Sequence, residues 1–371
     1  MLKAPMPNAA SSYLDFNATT PLLPQVEAAV REALSVMGNP SSVHAAGRRA
    51  RALVEDAREK IAAQTGAAPA EVIFTSGGTE ANALALKGSH HASVIVSGVE
   101  HASVLAAAPG AITVPATPHG VIDLNALEEA LKGAPRPALV AVMLANNETG
   151  VLQPLDQVVA IAKSYGAFVH CDAVQAFGKV PVDFSIGVDS LSLSAHKVGG
   201  LKGVGALIFR GDLTAQISGG GQERRRRAGT ENVLGIISFG ASARAVPRLL
   251  EEATRIRALR DDLETEARRG AAGVRIYGAD APRLANTTCF SLAEVTSETQ
   301  VMRLDLAGIA VSAGSACSSG KIAPSHVLLA MGVAPEEARC AIRVSLGWST
   351  TRDDIARFME AWRPLALNAA A

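Results

Sequence analysis

An alternation of two patterns limits this chain's fold more than any other feature. Short apolar or β-branched runs, VIFT (72–75), SVIVS (93–97), ALVAVML (138–144), FVHC (168–171), SLSLS (190–194) and ALIF (206–209), recur along the first two thirds. Between several of them lie helical patterns: residues 44–64, LNALEEALK (124–132) behind Asp123 as N-cap, and LDQVVAIAKSYG (155–166), closed by a glycine. Parallel strands need long crossovers and helices supply them, so the alternation predicts an α/β fold with a mainly parallel sheet. In such sheets ligands bind beyond the carboxyl ends of the strands. The residues just after each strand pattern are therefore the first to inspect for chemistry.

Three strand ends carry suitable residues. In SLSLSAHKVGGLKGVGALIF (190–209), Leu191 and Leu193 alternate with Ser190, Ser192 and Ser194, the period of a half-buried strand, and Lys197 falls where that pattern stops. A lone lysine is ordinarily a surface charge, but the glycines that follow permit turns that a side chain would obstruct. In SGGTEAN (76–82) small residues turn and Glu80 opens a helical pattern, which is the anatomy of a helix N-terminus offering free N–H groups to a phosphate. A plain tight turn fits the same residues. HCDAVQ (170–175) puts Asp172 at the end of a buried strand, where an aspartate is often only a cap. A phosphate cradle, a strand-end amine and an acid to sit against a ring nitrogen are together what pyridoxal 5'-phosphate (PLP) requires.

Composition narrows the alternatives. A chain of 371 residues exceeds one ordinary hydrophobic core, so two domains, or one large domain with an appendage, are expected. The formal net charge is zero, which removes the electrostatic case for nucleic acid or a membrane surface as the main partner. The run RRRR (224–227) has no interleaved aromatics and reads as a solvated or anion-facing loop. GSACSSGK (314–321) approaches a nucleotide-binding loop, but five residues separate its glycines and Ile322 stands where a magnesium-holding Ser or Thr belongs. Four cysteines (171, 289, 317, 340) form no C-x-x-C pair, which fits neither a disulfide framework nor a zinc site and points to a reducing compartment. The opening MLKAPMPNAASSYLDF lacks an apolar core of signal-peptide length, and the longest apolar runs fall far below the ~20 residues of a membrane span, so a cytoplasmic location is expected. After about residue 230 a helical stretch runs to Gly270; beyond it NTTCFSL (286–292) and IRVSL (342–346) read as strands and SETQVMRLDLAG (297–308) as a capped helix.

Taken in order, YLDFNATT (13–20), GNPSSVHAAGR (38–48), IFTSGGTEAN (73–82), EHASV (100–104), NNETGVLQP (146–154), HCDAVQAFGK (170–179), SAHKVGGLKGVGAL (194–207), GGGQERRRRAGTEN (219–232), GSACSSG (314–320) and IRVSLGW (342–348) resemble the cysteine desulfurases of the nitrogen-fixation and iron-sulfur-cluster assembly type, in the class V aminotransferase family. Each motif is weak alone; ten in order along nearly the whole chain are specific. The resemblance implies the PLP-dependent fold type I, with a large domain over 20–255 and a smaller α+β domain made of 1–19 with 256–371.

It also implies roles. Lys197 would carry PLP; Gly78, Thr79, Ser194 and His196 would bind its phosphate, with Thr230 reaching in from the partner subunit of a homodimer. His101 would stack on the ring and assist proton transfer, Asp172 would pair with the pyridine nitrogen, and Gln175 would bond the ring hydroxyl. Asn147 and Arg343 would hold the carboxylate of L-cysteine, and Cys317 would take the sulfur as a persulfide, pass it to a sulfur-acceptor or iron-sulfur scaffold protein, and transiently contact an iron-sulfur cluster. No resident metal is expected. One departure is Leu201, where this family usually has proline, which implies a softer turn and no lost chemistry. Selenocysteine lyase and other class V aminotransferases share the scaffold, and a non-catalytic sulfur carrier is a third reading.

Overall fold

The computed structural model describes residues 11–314 and 323–369. The cysteine assigned the persulfide, Cys317, and most of the glycine- and serine-rich segment around it lie outside those residues.

The strands are β1 (Ser12–Tyr13), β2 (Val72–Thr75), β3 (Ser93–Ser97), β4 (Ile112–Val114), β5 (Ala138–Met143), β6 (Phe168–Asp172), β7 (Ser190–Ser194), β8 (Gly205–Phe209), β9 (Arg275–Ile276), β10 (Thr287–Ser291), β11 (Ile309–Ala310), β12 (Ser312–Ala313) and β13 (Ala341–Ser345). A seven-stranded sheet has the order β2-β8-β7-β6-β5-β3-β4. Within it β4, β3, β5, β6 and β7 pair in parallel, and β8 runs antiparallel to both its neighbours. The alternation in the sequence thus gives the α/β architecture it predicts, with β4 the strand that sequence periodicity did not reveal.

The helices between the strands start and stop where the chain signals. Asp123 accepts from the N–H groups of Asn125 and Ala126 to cap Leu124–Gly133. Gly166, at φ 68°, ends the helix Leu155–Ser164 in the left-handed region that glycine enters freely. The helical stretch after residue 230 is three helices, Val233–Arg244, Val246–Glu251 and Ala253–Gly270, and Pro247 marks the start of the second.

One expectation is corrected. The alternation in SLSLS predicted a half-buried strand, yet all five residues of β7 are buried. β7 lies near the middle of a sheet whose two faces are both covered, so its serines are enclosed as fully as its leucines. Ser190 meets His170; the hydroxyls of Ser192 and Ser194 find no protein partner. A buried hydroxyl without a partner is costly unless something else satisfies it.

A second sheet, β12-β13-β10-β9, is antiparallel throughout. β1 pairs in parallel with β11, and Asp15 bridges to Ser345, so the N-terminal segment joins the C-terminal part of the chain. Leu14, Phe290, Ile342, Phe358 and Trp362 fill an apolar core there, separate from the core of the large sheet. The helix Ala253–Gly270 packs on the helix Arg352–Ala369 along its edge.

Candidate active site

The carboxyl ends of β2, β3, β5, β6 and β7 open on one cavity of about 650 Å³. Gly78, Thr79, His101, Asn147, Asp172, Gln175, Ser194, His196, Lys197 and Arg343 all line it. Thr230 is exposed and lies apart from this lining. A larger groove, about 870 Å³, runs between the helices Ala253–Gly270 and Arg352–Ala369, but it lacks the lysine and the strand ends that make the first cavity chemically distinctive.

At one end of the cavity the helix Gly78–Gly88 begins directly after β2. Its first N–H groups have no partner within the helix and its dipole favours an anion. A Cβ on Gly78 would come within 2.7 Å of Val174 Cγ2 and 3.7 Å of Ser194 Cβ, so only glycine leaves this corner open. The unpartnered Ser194 hydroxyl borders the same corner, as does His196, whose pKa burial, and then Lys197, press down to about 4. Free backbone donors, an orphaned hydroxyl and a neutral imidazole form a donor set that suits the phosphate of PLP.

Lys197 follows β7 in a short 3-10 turn, Ala195–Lys197. Its Nζ donates to the carbonyls of Asn17, 2.6 Å away, and Ala18, 2.9 Å away. Burial, followed by the charge of Arg343, lowers its pKa to about 8, against smaller opposing contributions from Asp15 and Asp172. The amine is thus poised to lose its proton near neutrality, which a nucleophilic lysine needs.

Asp172 ends β6 with one oxygen accepting from Val174 N, at 2.9 Å, and the other from Asn82 Nδ2, at 2.8 Å. It is both the cap that a strand-end aspartate usually is and a cavity-facing acid. His101 caps the helix Ala102–Ala107, with Nδ1 accepting from Ser103 N at 3.1 Å. Its ring opens on the cavity, while the surrounding walls lower its basicity, an effect that Lys197 and His326 reinforce and Asp172 opposes.

Arg343, on β13, reaches in from the second sheet. Nη2 pairs with Asp15 at 2.7 Å, Nη1 donates to Asn147 O at 3.1 Å, and Nε is buried with no partner. An arginine fork with a donor to spare suits a carboxylate.

Residues that sequence reasoning missed support these groups. Asn17 accepts at its carbonyl from Lys197 and Gln175 and at Oδ1 from Lys179 and Asn286. Lys179, pushed far below the usual lysine value by burial and then by Lys197 and Arg343, donates to Gln175 Oε1 at 2.6 Å. Glu148 takes the Ser325 hydroxyl at 2.5 Å and is raised by burial. Asn17, Lys179 and Glu148 all sit inside motifs that carry the resemblance, which was the available signal. Among the described residues no group of acids, histidines and cysteines is placed to hold a metal, and no helix is long and apolar enough to cross a membrane.

The arginine run lies away from this cavity. Glu223, Arg224 and Arg225 all have positive φ, at 44°, 57° and 65°, and Arg227 pairs with Glu80 at 2.8 Å beside the phosphate corner. Arg224 and Arg225 are exposed, as a solvated loop requires, while Arg226 and Arg227 are half-buried.

Known proteins resemble this chain over nearly its whole length. The family model described as aminotransferase class-V matches residues 12–358. The cysteine desulfurase IscS of Dictyoglomus turgidum is 43% identical, covering 92% of this chain and 91% of its own length. An IscS-like cysteine desulfurase of Mycobacterium tuberculosis is 40% identical, covering 94% of each. The solved NifS-like protein of Rickettsia africae superposes with a TM-score of 0.89 at 36% identity, over 96% of this chain and 99% of that one. Matched from its first described strand into its last helix, the chain belongs to the class-V aminotransferase family.

Proposed function

We propose that this protein is a PLP-dependent cysteine desulfurase, converting L-cysteine to L-alanine and leaving the sulfur as a persulfide on Cys317. The observation that carries the reading is Lys197: an amine with its pKa lowered to about 8, in a cavity that also holds a phosphate corner, a buried acid and an arginine fork. The names of the similar proteins support the choice among class V reactions.

Gly78, Thr79, Ser194 and His196 would hold the phosphate, with Thr230 of a second copy completing the cradle in a homodimer. Asp172 would face the ring nitrogen, Gln175 the ring hydroxyl and His101 the ring face. PLP, when bound, supplies an electron-withdrawing ring that takes up charge from the substrate's α-carbon. Arg343 and Asn147 grip the carboxylate and so fix which bond at the α-carbon is exposed. Lys197 would hold the cofactor and serve as the base near the α-carbon, with His101 assisting proton transfer. The Cys317 thiolate attacks the substrate's sulfur: a sulfur–sulfur bond forms, the carbon–sulfur bond breaks, and protons returned to carbon complete alanine. The sum, cysteine plus thiol giving alanine plus persulfide, needs no outside oxidant or reductant.

Exclusion supports Cys317. Burial raises the thiol pKa of Cys171, Cys289 and Cys340 above its usual value, and none of them lines the cavity. Thiols held protonated are poor nucleophiles. The proposal extends to a cytoplasmic homodimer that passes sulfur to an acceptor or iron-sulfur scaffold protein. It also includes a division into a large domain over 20–255 and a small one of 1–19 with 256–371, supported by the two separate apolar cores.

Incubating the PLP-loaded protein with L-cysteine tests the reading. Alanine should form in step with sulfane sulfur. Preference for selenocysteine would instead indicate a lyase for that substrate, and amino transfer to a 2-oxo acid an aminotransferase.

A further inference from the structure

The group assigned to the cofactor's ring nitrogen, Asp172, and the one assigned to its ring face, His101, are joined through one side chain. Asn82, on the helix Gly78–Gly88, is 1% exposed and borders the cavity. Its Nδ2 lies 2.8 Å from Asp172 Oδ2 and 2.9 Å from Ser103 Oγ. Its Oδ1 lies 3.1 Å from Nε2 of His170, whose Nδ1 is 2.8 Å from Ser190 Oγ. Ser103 Oγ lies 2.7 Å from His101 Nδ1.

Chemistry leaves one arrangement of protons along this chain. Asp172 accepts at Oδ1 from Val174 N and at Oδ2 from Asn82, so Asn82 turns its amide N–H groups toward Asp172 and its oxygen toward His170. His170 is fully buried, and burial lowers its pKa to about 3, so it is neutral and carries one ring proton. That proton lies on Nε2, donated to Asn82 Oδ1, and Nδ1 accepts from the Ser190 hydroxyl. The second amide proton of Asn82 goes to Ser103 Oγ, and the Ser103 hydroxyl proton turns to His101 Nδ1, an acceptor in its contact with the Ser103 backbone. The backbone N–H of Ser103 also donates to that nitrogen, at 3.1 Å. With two donors aimed at Nδ1, the proton of neutral His101 sits on Nε2.

We propose that Asn82 is a positioning residue, which ties the acid assigned to the ring nitrogen to the histidine assigned to the ring face and holds His101 as the Nε2–H tautomer. The inference rests on the ring-facing roles of Asp172 and His101 and assigns no contact between Asn82 and the substrate. Its consequence is directional. Full protonation of His101 must displace both donors at Nδ1, so the network resists the imidazolium. Asp172, Lys197 and His326 are the charged or titratable groups that face His101, and each acts through space without fixing a tautomer.

The test uses holoenzyme with ¹⁵N-labelled histidine, comparing wild type with Asn82→Ala and Ser103→Ala. Two-bond proton–nitrogen spectra of His101 report the tautomer, their pH dependence reports its titration, and alanine formation is followed separately. Wild type should show Nδ1 bare and Nε2 protonated. Both variants should populate the Nδ1–H tautomer and move the His101 midpoint to higher pH, and Asn82→Ala should lose about tenfold in turnover, the scale of one positioning hydrogen bond. Ser103→Ala stands at the rim of the network and serves where Asn82→Ala does not fold. A wild-type His101 protonated on Nδ1, or unchanged tautomer and midpoint in both variants, overturns the assignment. Wild-type protein with the expected spectra that forms no alanine overturns the desulfurase reading and leaves the Asn82 assignment standing.

Discussion

At the scale of single residues, the chemistry turns on how the fold treats positive charge. Burial, then the charges of Lys197 and Arg343, lower the pKa of Lys179, and burial with Arg343 lowers that of Lys197. For Lys197, burial together with Arg343 sets the pKa at about 8. Only the neutral amine attacks an aldehyde. The rate at which apo-protein takes up PLP should therefore rise tenfold per pH unit below about 8 and level off above it, instead of climbing to the ~10.4 of an ordinary lysine. Arg343→Gln removes one cation and should move that break to higher pH. Absorbance of the bound cofactor measures both; a rate still climbing steeply past the break in wild type contradicts the assignment. Borohydride fixation with peptide mapping should label Lys197, leave Lys197→Ala unlabelled, and spare Lys202 and Lys321. Lys197 was legible because it follows a strand pattern. Lys179 was not, since its importance comes from burial against Gln175 and Asn17, a contact between segments more than 150 residues apart in part.

At the scale of elements, the site depends on close backbone approach and on one buried ion pair. A Cβ on Gly205, at the start of β8, would lie 2.6 Å from the Gly77 carbonyl carbon and 2.7 Å from Leu193 O, both backbone atoms that cannot turn aside. Gly205→Ala should cost about 1–3 kcal/mol and weaken PLP binding by displacing the turn ahead of the helix Gly78–Gly88; calorimetry and cofactor titration read the two effects. Glu223 receives Arg58 at 2.8 and 2.9 Å and Phe74 N at 2.9 Å, both charged groups being buried. Glu223→Gln leaves the Arg58 charge underpaired and should lower stability in urea by about 3 kcal/mol. The pair also anchors the left-handed backbone of Glu223, Arg224 and Arg225, where non-glycine residues are strained. The sequence declared its strands and helices through periodicity, and most boundaries fall within two residues of expectation. It did not declare that SLSLS is enclosed on both faces, because alternation records polarity and a serine is small enough to be buried when neighbours or a ligand can bond it.

At the scale of the whole molecule, one cavity draws on segments from Asn17 to Arg343, and the strand-end rule for parallel sheets explains why they meet. The site was legible as a set of residue types at strand ends and as ten ordered motifs. Its supporting network of Asn17, Asn82, Lys179 and Glu148 was not legible from residue type, since most of those hydrogen bonds join segments far apart in the chain. Thr230 stands outside the cavity in the single chain, so the proposed homodimer predicts that cofactor retention falls as subunits are diluted apart. Sedimentation combined with PLP absorbance measures this, and a monomer with full cofactor occupancy contradicts it. The central claim is that this cavity delivers the sulfur of cysteine to Cys317. Its most direct test is mass spectrometry of the PLP-loaded protein after L-cysteine, alongside Cys317→Ser, with alanine counted in both. Wild type should gain one sulfur on the peptide bearing Cys317, and Cys317→Ser should keep its cofactor, gain no sulfur and form almost no alanine. Undiminished alanine in Cys317→Ser, with a persulfide on Cys171, Cys289 or Cys340, would contradict the account.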